Sequence, residues 1–508
     1  MTFTSAVFPF FFLAVCVCFF AARGRGQAAV LAAASAVFYL ANCRSDTPWR
    51  TALPVAVLYA SVLFSFFCAK AIARSEGAKR KRLTAFAVAV SLAVLAFFKY
   101  CNFFLPTVFG ETAVSIGLPL GISFYTFASI SYLVDVSRGD MDAETDLVRF
   151  AAFLTFFGTI TSGPICRART LLPQMREDRR FDAKRAADGL RLVLFGAFEW
   201  VAAANVLGLF VNEIFENIPS YGGAVLVFAA AAYSVQLYCE FAGYSDVARG
   251  IGLILGYDLP VNFKTPYFAT NFSGFWNRWH ISLSSWLQDY LFMPLVWGRW
   301  TSRIPVIGKR FDKPPMISSV AIVFFLSGLW HGNTAPFVLW GTLQAAYRVG
   351  EELLHRFYKK PQKKPKLPLR VFKTVSVFVL WTASLVFFRI GLLADSSVAL
   401  CGTFFARIFA PGSFFADVSA AVQNGFYAKP VMVAAYFAYL LIVLFIVFYT
   451  DWLRCFRDKD RHIALRAAKW KTPARWAAYY LLICLTLAGY IMQSGGFGSS
   501  GFGLYAGF

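Results

Sequence analysis

Long apolar runs separated by short polar or basic turns set the pattern of this chain. Most of them approach or exceed the roughly 17 residues that a helix needs to cross a bilayer. The runs occupy residues 6–22, 26 to about 42, 53–69, 83–104, 192–215, 224–239, 317–330, 336–351, 375–388, 431–449 and 477–491. This pattern predicts an all-α polytopic membrane protein. The first apolar run is expected to stay in the mature protein as a membrane span and not to be removed as a signal peptide.

Two apolar segments contain too much glycine and proline for ordinary membrane spans. GLPLGISFYTFASISYLVDV, residues 117–136, suits the protein interior, because irregular backbone at membrane depth must be shielded by protein or line a cavity. FLTFFGTITSGPICRAR, residues 153–169, predicts a re-entrant segment. The basic stretch 167–191 predicts one long, partly amphipathic helix that lies on anionic lipid.

Composition changes this picture little. Hydrophobic residues make up 58% of the 508 positions and charged residues only 15%, which is typical of a protein whose solvent is largely lipid. The net charge of +22 lies in short runs between apolar segments, as the positive-inside rule requires, so we predict no nucleic-acid partner. The ten cysteines show no metal-ligand spacing, and we predict neither a metal site nor a disulfide framework.

Three charged residues interrupt an apolar frame near the middle of the chain. Glu240, Asp246 and Arg249 lie within ten positions of one another. Charges in such a place should be paired or hydrated. Two interpretations stay open: a structural ion-pair cluster, or a proton or ligand site.

The candidate chemistry lies in two Trp-His dipeptides. The chain has four histidines, and His280 and His331 each follow a tryptophan beside apolar sequence, where an ionisable side chain is usually kept for function. A core histidine bonded to a carbonyl is the alternative. The other two, His355 and His462, lie in basic loops, and we expect both to be solvated.

The helices around these dipeptides are predicted to differ. A single interfacial helix is expected from near Ser273 to about Tyr290, because the segment is too polar to cross the bilayer. The run that ends at Trp330 is expected to stop at His331, where Gly332 and Asn333 interrupt it, and a new helix resumes at Pro336.

Several motifs together resemble one protein family. PLGISFYTF, SGPICR, FKYCNFF, the block from Tyr238 to Leu295 and LSGLWHGNTAPFVLWG are similar to the bacterial branch of the membrane-bound O-acyltransferases. That branch includes proteins of alginate O-acetylation and teichoic acid D-alanylation. The resemblance implies a bundle of about eleven transmembrane helices, with re-entrant and interfacial helices around a central tunnel.

The resemblance also implies roles for individual residues. His331 matches the catalytic histidine of the family, and His280 matches a second histidine on the cytoplasmic side of the tunnel. Other recurrent positions, which we take as substrate-binding candidates, are Asn271, Arg278, Trp279, Ser284 and Asp289. Departures from the family pattern are Asn277, Gln288, Glu240 and Gln344. On this basis we expect N-terminal helices in 1–105, the catalytic core in 106–355, and C-terminal helices with basic cytoplasmic loops and an extracytoplasmic segment in 356–508.

The chemistry follows from thioester reactivity. A thioester is already activated, so an enzyme mainly has to align a hydroxyl with the carbonyl and remove its proton, and His331 is our candidate base. Burial disfavours imidazolium, so we expect a neutral ring. The oxyanion donor is expected from Asn333 or from the amides at Gly332.

The function predicted is therefore an acyltransferase without a bound cofactor. It passes an acyl group, acetyl in the first instance, from acetyl-CoA or an acyl carrier protein to a hydroxyl for O-acetylation of an extracytoplasmic polysaccharide. The expected location is the bacterial inner membrane, and the expected partners are lipid and an SGNH-type transferase or polysaccharide-synthesis complex. The alternatives are D-alanyl transfer to lipoteichoic acid, an ion-coupled transporter and a non-catalytic export scaffold.

Overall fold

A computed structural model describes residues 1–45, 47–109, 116–298, 316–357, 366–426, 430–457 and 462–495. Throughout these ranges the regular structure is helical and no strand occurs, which confirms the all-α prediction. Two stretches of basic sequence, 299–313 and 359–365, lie outside the described residues, as does the C-terminal segment 496–508.

Eight helical segments in the described ranges are long and apolar enough to cross a membrane. They are Arg25–Cys43, Pro48–Ala73, Gly77–Asn102, Ala183–Glu216, Gly223–Ile254, Leu367–Gly391, Val433–Phe456 and Thr472–Gln493. Three shorter apolar helices accompany them, Phe8–Ala21, Met316–His331 and Val398–Arg407. A polytopic architecture is thus confirmed, whereas the expected count of about eleven crossings stays a prediction.

The chain divides into two compact units, and the first consists of Met1–Val193 and Tyr244–Val261. Its helices are α1 (Phe8–Ala21), α2 (Arg25–Cys43), α3 (Pro48–Ala73), α4 (Gly77–Phe109), α5 (Ile122–Arg138), α6 (Leu147–Thr155), α7 (Ala168–Arg176) and the start of α8 (Ala183–Ala197). Helix α5 is buried along nearly its whole length, packed against α3 and α4. The prediction of an interior segment at 117–136 is therefore confirmed.

The glycine before α5 is required by the backbone. Gly121 has φ 68°, and a Cβ at this position would lie 1.9 Å from the carbonyl oxygen of Ile160. Only a residue without a side chain fits there.

The prediction of one long helix over 167–191 is wrong. Helix α7 ends at Arg176 and α8 begins at Ala183. The intervening backbone is held by contacts from far away in the sequence: the Gly24 N–H donates to Asp178 at 2.6 Å, and Gln27 exchanges hydrogen bonds with the backbone of Arg179 at 2.7 and 2.9 Å. These tertiary bonds override the local helical pattern.

The second unit consists of Leu194–Gly243 and Asn262–Gly503. A π-helical turn, Phe198–Asn205, joins α8 to α9 (Val206–Glu216), and α10 (Gly223–Ile254) begins in this unit and ends in the first. The remaining helices are α11 (Phe272–Trp276), α12 (Ile281–Leu287), α13 (Met293–Trp297), α14 (Met316–His331), α15 (Ala335–Phe357), α16 (Leu367–Gly391), α17 (Val398–Arg407), α18 (Phe414–Phe426), α19 (Pro430–Phe456), α20 (Ile463–Arg466) and α21 (Thr472–Gly495).

Helices α14, α15 and α16 form the frame for the histidine sites. Consecutive members pack against each other, and Trp381 of α16 is among the largest fully buried side chains. The predicted break after His331 and the new helix near Pro336 are confirmed.

One histidine predicted to be solvated is buried. His462 caps α20 by accepting a hydrogen bond from the Ala464 N–H at 3.3 Å, and its ring packs edge-on against Phe195. The basic sequence around it does not predict this packing, and residues 458–461 of the predicted loop lie outside the described residues. His355 is exposed, as expected, but it lies on α15 and not in a loop as predicted.

Candidate active site

His331 is the last residue of α14 and lies in a pocket of aromatic rings. Its side chain is 7% exposed. The ring centroids of Trp340 and Phe388 both lie 4.9 Å from that of His331, and Trp340 stands perpendicular to it. These rings exclude bulk water from the imidazole. Because Trp340 belongs to α15 and Phe388 to α16, these two helices fix the position of the His331 ring.

Glycines bring α14 and α15 close together just before this turn. A Cβ at Gly328 would lie 2.6 Å from the carbonyl oxygen of Phe337, and a Cβ at Gly341 would lie 2.6 Å from that of Phe324. The two helices therefore meet backbone to backbone, and the hairpin holds the His331 turn rigidly.

His280 occupies a different kind of backbone. The predicted single helix over 273–290 is wrong: α11 ends at Trp276, α12 begins at Ile281, and a π-helical turn follows at Gln288–Phe292. His280 lies in the break with φ 43°, in the left-handed region that a residue with a bulky side chain seldom adopts. A strained residue at such a position suggests a functional constraint.

The His280 ring is almost completely enclosed. It is 3% exposed, and Phe241 packs edge-on against it at 4.5 Å. Burial lowers the pKa of His280 to about 3, so the ring is neutral at physiological pH. Its Nδ1 lies 3.4 Å from Oδ1 of Asn262, whereas Nε2 has no hydrogen-bond partner among the described residues.

A short segment beginning at Asn262 shapes this break. Oδ1 of Asn262 accepts hydrogen bonds from the Ser282 N–H at 3.1 Å and from its hydroxyl at 2.7 Å. The backbone adds two more bonds, from Ile281 N to Asn262 O at 2.9 Å and from Lys264 N to Arg278 O at 3.0 Å. Residues 262–264 therefore replace the intrahelical hydrogen bonds that a continuous helix would make.

A layer of tryptophans connects the surroundings of the two histidines. Trp279, next to His280, lies 4.9 Å from Trp381, and Trp381 lies 5.8 Å from Trp276. Trp276 is in turn 6.3 Å from Trp340, the ring that contacts His331. The structure thus brings both predicted histidines to one aromatic layer of the second unit.

The remaining site candidates have identifiable local partners. Asn271 caps α11 by accepting from the Gly274 N–H at 2.7 Å, Arg278 donates to the Thr265 carbonyl at 3.4 Å, and the Ser284 hydroxyl donates to the Trp279 carbonyl at 3.1 Å. Trp279 is buried, Asp289 is half-buried in the π-helical turn, and Asn333 is exposed. Asp246 and Arg249 form an ion pair at 2.8 Å, and Glu240 is buried earlier on α10.

Sequence reasoning missed four residues that surround the histidines: Asn262, Trp340, Trp381 and Arg454. Arg454 of α19 donates to the Phe263 carbonyl at 3.0 Å and so holds the segment beside His280. Only Trp340 carried a local signal, because it lies nine positions after His331 on the next predicted helix. In the described chain, no group of three His, Cys, Asp or Glu side chains is arranged to hold a metal ion.

Comparison with known proteins identifies this arrangement. The sequence model of MBOAT, the membrane-bound O-acyltransferase family, matches residues 138–393, a range that includes both histidines. The chain is 36% identical over 398 residues to the probable alginate O-acetylase AlgI of Azotobacter vinelandii, which covers 75% of this chain and 74% of that protein. The chain belongs to the membrane-bound O-acyltransferase family.

Other relatives within this family differ in the group they transfer. A probable alginate O-acetylase AlgI of Pseudomonas syringae pv. tomato is 35% identical over 356 residues, 67% of this chain and 64% of that protein. The chain therefore spans less than two thirds of that relative. A teichoic acid D-alanyltransferase of Bacillus subtilis is 31% identical over 271 residues, 51% of this chain and 65% of that protein. Membership confirms the predicted family, the O-acyltransferase class and a multi-pass membrane protein.

Proposed function

We propose that this membrane-bound O-acyltransferase passes an acetyl group from acetyl-CoA on the cytoplasmic side to a hydroxyl, for O-acetylation of an extracytoplasmic polysaccharide. The observation that carries the proposal is His331, a buried imidazole at a helix break, walled by Trp340 and Phe388. The alginate O-acetylases among the relatives support acetyl as the group.

His331 acts as the general base in this proposal. Its imidazole takes the proton of the acceptor hydroxyl while the oxygen attacks the thioester carbonyl, a role worth on the order of 10² to 10⁴ in rate. The aromatic wall limits water, so the thioester is protected from hydrolysis. The same wall fixes the ring, and a fixed base needs little reorganisation during the reaction.

His280 orients the donor. The ring is neutral and enclosed, and the break around it is fixed by Asn262. Such a group suits a hydrogen bond to a bound substrate better than proton transfer, because its pKa lies far below the operating pH. We assign positioning of the thioester to it, and chemistry to His331.

The positive net charge of the chain supports a polyanionic donor. The net charge of +22 would attract coenzyme A by long-range steering.

We place the protein in the bacterial inner membrane, where the donor is made on one side and the acceptor lies on the other. An SGNH-type transferase or a polysaccharide-synthesis complex is the partner that would receive the group.

The test uses the purified protein in lipid nanodiscs with acetyl-CoA and a polysaccharide that carries free hydroxyls, and it measures release of coenzyme A. We expect turnover by the wild-type protein and loss of at least about 100-fold in kcat for His331→Ala. His355→Ala, at the exposed histidine, is the matched control and should keep wild-type kinetics. Wild-type turnover by His331→Ala would refute the proposed base.

D-alanyl transfer is the second candidate, and the Bacillus subtilis relative favours it. The same assay with a D-alanyl carrier protein separates the two. Consumption of the carrier thioester and not of acetyl-CoA would replace acetyl in the proposal and leave the role of His331 unchanged.

A further inference from the structure

The indole N–H of Trp340 is buried beside the candidate base without an acceptor. The side chain is 2% exposed, and within the described residues its Nε1 has no hydrogen-bond partner. A buried donor without a partner is unfavourable, and buried tryptophan N–H groups usually find one. Such a group therefore needs an explanation.

Its position suggests what the acceptor is. The Trp340 ring stands at 89° to the His331 ring with centroids 4.9 Å apart, and Phe388 packs against both rings. The close crossing of α14 and α15 at Gly328 and Gly341 fixes the distance between the two side chains. A substrate atom that reacts at His331 is consequently within reach of the neighbouring indole.

We propose that the Trp340 Nε1–H donates a hydrogen bond to the acyl oxygen of the tetrahedral intermediate; this inference rests on the proposed role of His331. The acceptor oxygen forms a bond to the thioester carbon, the carbonyl electron pair moves to oxygen, and His331 holds the proton of the hydroxyl. The oxyanion then re-forms the carbonyl, the carbon–sulfur bond breaks, and the thiolate takes the proton from the imidazolium.

A preorganised donor suits this task better than the earlier candidate. Asn333 is exposed, so water competes for its amide and its side chain is not held in place. The Trp340 side chain is buried and packed between neighbouring rings. A hydrogen bond aimed at developing charge is strongest in such a site of low dielectric constant. The hydrogen bond from this N–H strengthens as charge develops on the acyl oxygen, which is what transition-state stabilisation requires.

The test removes the N–H while keeping the ring. Benzothienylalanine at position 340 replaces N–H by sulfur at nearly constant volume, and Trp340→Phe is a second variant. With acetyl-CoA as donor we expect kcat to fall about 100-fold and KM to stay within about twofold, as for loss of one oxyanion donor. Because the substituted atom has no partner in the resting protein, the melting temperature of the benzothienylalanine protein should not fall.

The matched control is benzothienylalanine at position 476, since Trp476 is 49% exposed on α21, and it should leave kcat unchanged. If the benzothienylalanine variant at 340 keeps wild-type kcat while His331→Ala is inactive, the inference is wrong and the proposed function stands. A fall in melting temperature together with unchanged kcat would show a purely structural tryptophan. If His331→Ala keeps its activity, the proposed function fails and the inference fails with it.

Discussion

The two Trp-His dipeptides lie on backbones of opposite kinds. His331 ends a regular helix and is held by a helix hairpin, whereas His280 interrupts two short helices with φ 43°. The surroundings differ as well: aromatic rings enclose His331, and a buried amide, Asn262, stands beside His280. The same Trp-His dipeptide therefore gives one site fixed by neighbouring helices and one site fixed by a distant polar segment.

Because of this difference, the two sites should be sensitive to different substitutions. The His331 turn depends on the close approach of two helices, so polar substitutions elsewhere should leave it intact. The His280 break depends on a few hydrogen bonds from residues 262–264, and removal of one side chain should loosen it.

The largest effect is expected from Asn262→Ala. Asn262 is 1% exposed, and its loss removes the Oδ1 atom that accepts two hydrogen bonds, from the buried Ser282 N–H and from its hydroxyl, at a cost of about 2 kcal/mol. Denaturant unfolding in detergent measures the change. Asn271→Ala is the matched control, since Asn271 caps α11 and a lost cap costs about 1 kcal/mol. Equal losses for the two variants would contradict a special role for the Asn262 segment.

An intermediate effect is expected from acid. Burial lowers the pKa of His280 to about 3, while in the unfolded chain it is about 6.5. The unfolded state therefore binds the proton first, so the contribution of His280 to stability is complete above pH 6.5 and is lost as the pH falls toward 3. The slope reaches up to about 1.4 kcal/mol per pH unit. Unfolding of the wild type and of His280→Asn between pH 7 and pH 5.5 measures it, an interval over which the loss amounts to about 1.3 kcal/mol.

In that experiment the His280→Asn variant isolates the contribution of His280 to the pH dependence of stability, because the two proteins share all other titrating groups. Asparagine also tolerates the left-handed backbone at this position. Parallel pH profiles for the two proteins would show that the His280 ring is not buried in its neutral form.

The smallest effect is expected from a pair of substitutions at one position. His280→Gly should be about 1 kcal/mol more stable than His280→Ala, because alanine is strained at φ 43° and glycine is not. The same pair at His355, which lies within α15, should show no such advantage, because alanine is favoured over glycine inside a helix. Thermal unfolding of the four variants decides it, and an advantage for alanine at position 280 would argue against the left-handed conformation.

Sequence reasoning found the elements whose signals are local. The end of α14 was predictable because Gly332 and Asn333 follow a continuous apolar run, and the interior helix α5 because glycines and a proline precede it. The break at His280 was not predictable: residues 273–290 carry a helical period, and the interruption comes from bonds to Asn262 and Lys264. The same applies to the break between α7 and α8, which Gly24 and Gln27 hold.

The candidate site was singled out in part from the sequence, and the roles assigned to its residues stay predictions. The two histidines were found because ionisable groups are conspicuous in apolar sequence. Trp381 was not, since one more tryptophan in an aromatic-rich helix carries no signal until the packing shows which ring it touches. Trp340 carried only its place nine positions after His331, which does not show the contact between the two rings. The burial of His462 against Phe195 was missed for the same reason.

The contact at Gly328 and Gly341 also limits how this enzyme can diversify. Any new side chain at these two positions would run into main-chain atoms of the opposite helix. A lineage in which the substrate changes must therefore remodel other residues around His331, and the hairpin is inherited as a fixed part around which those changes accumulate.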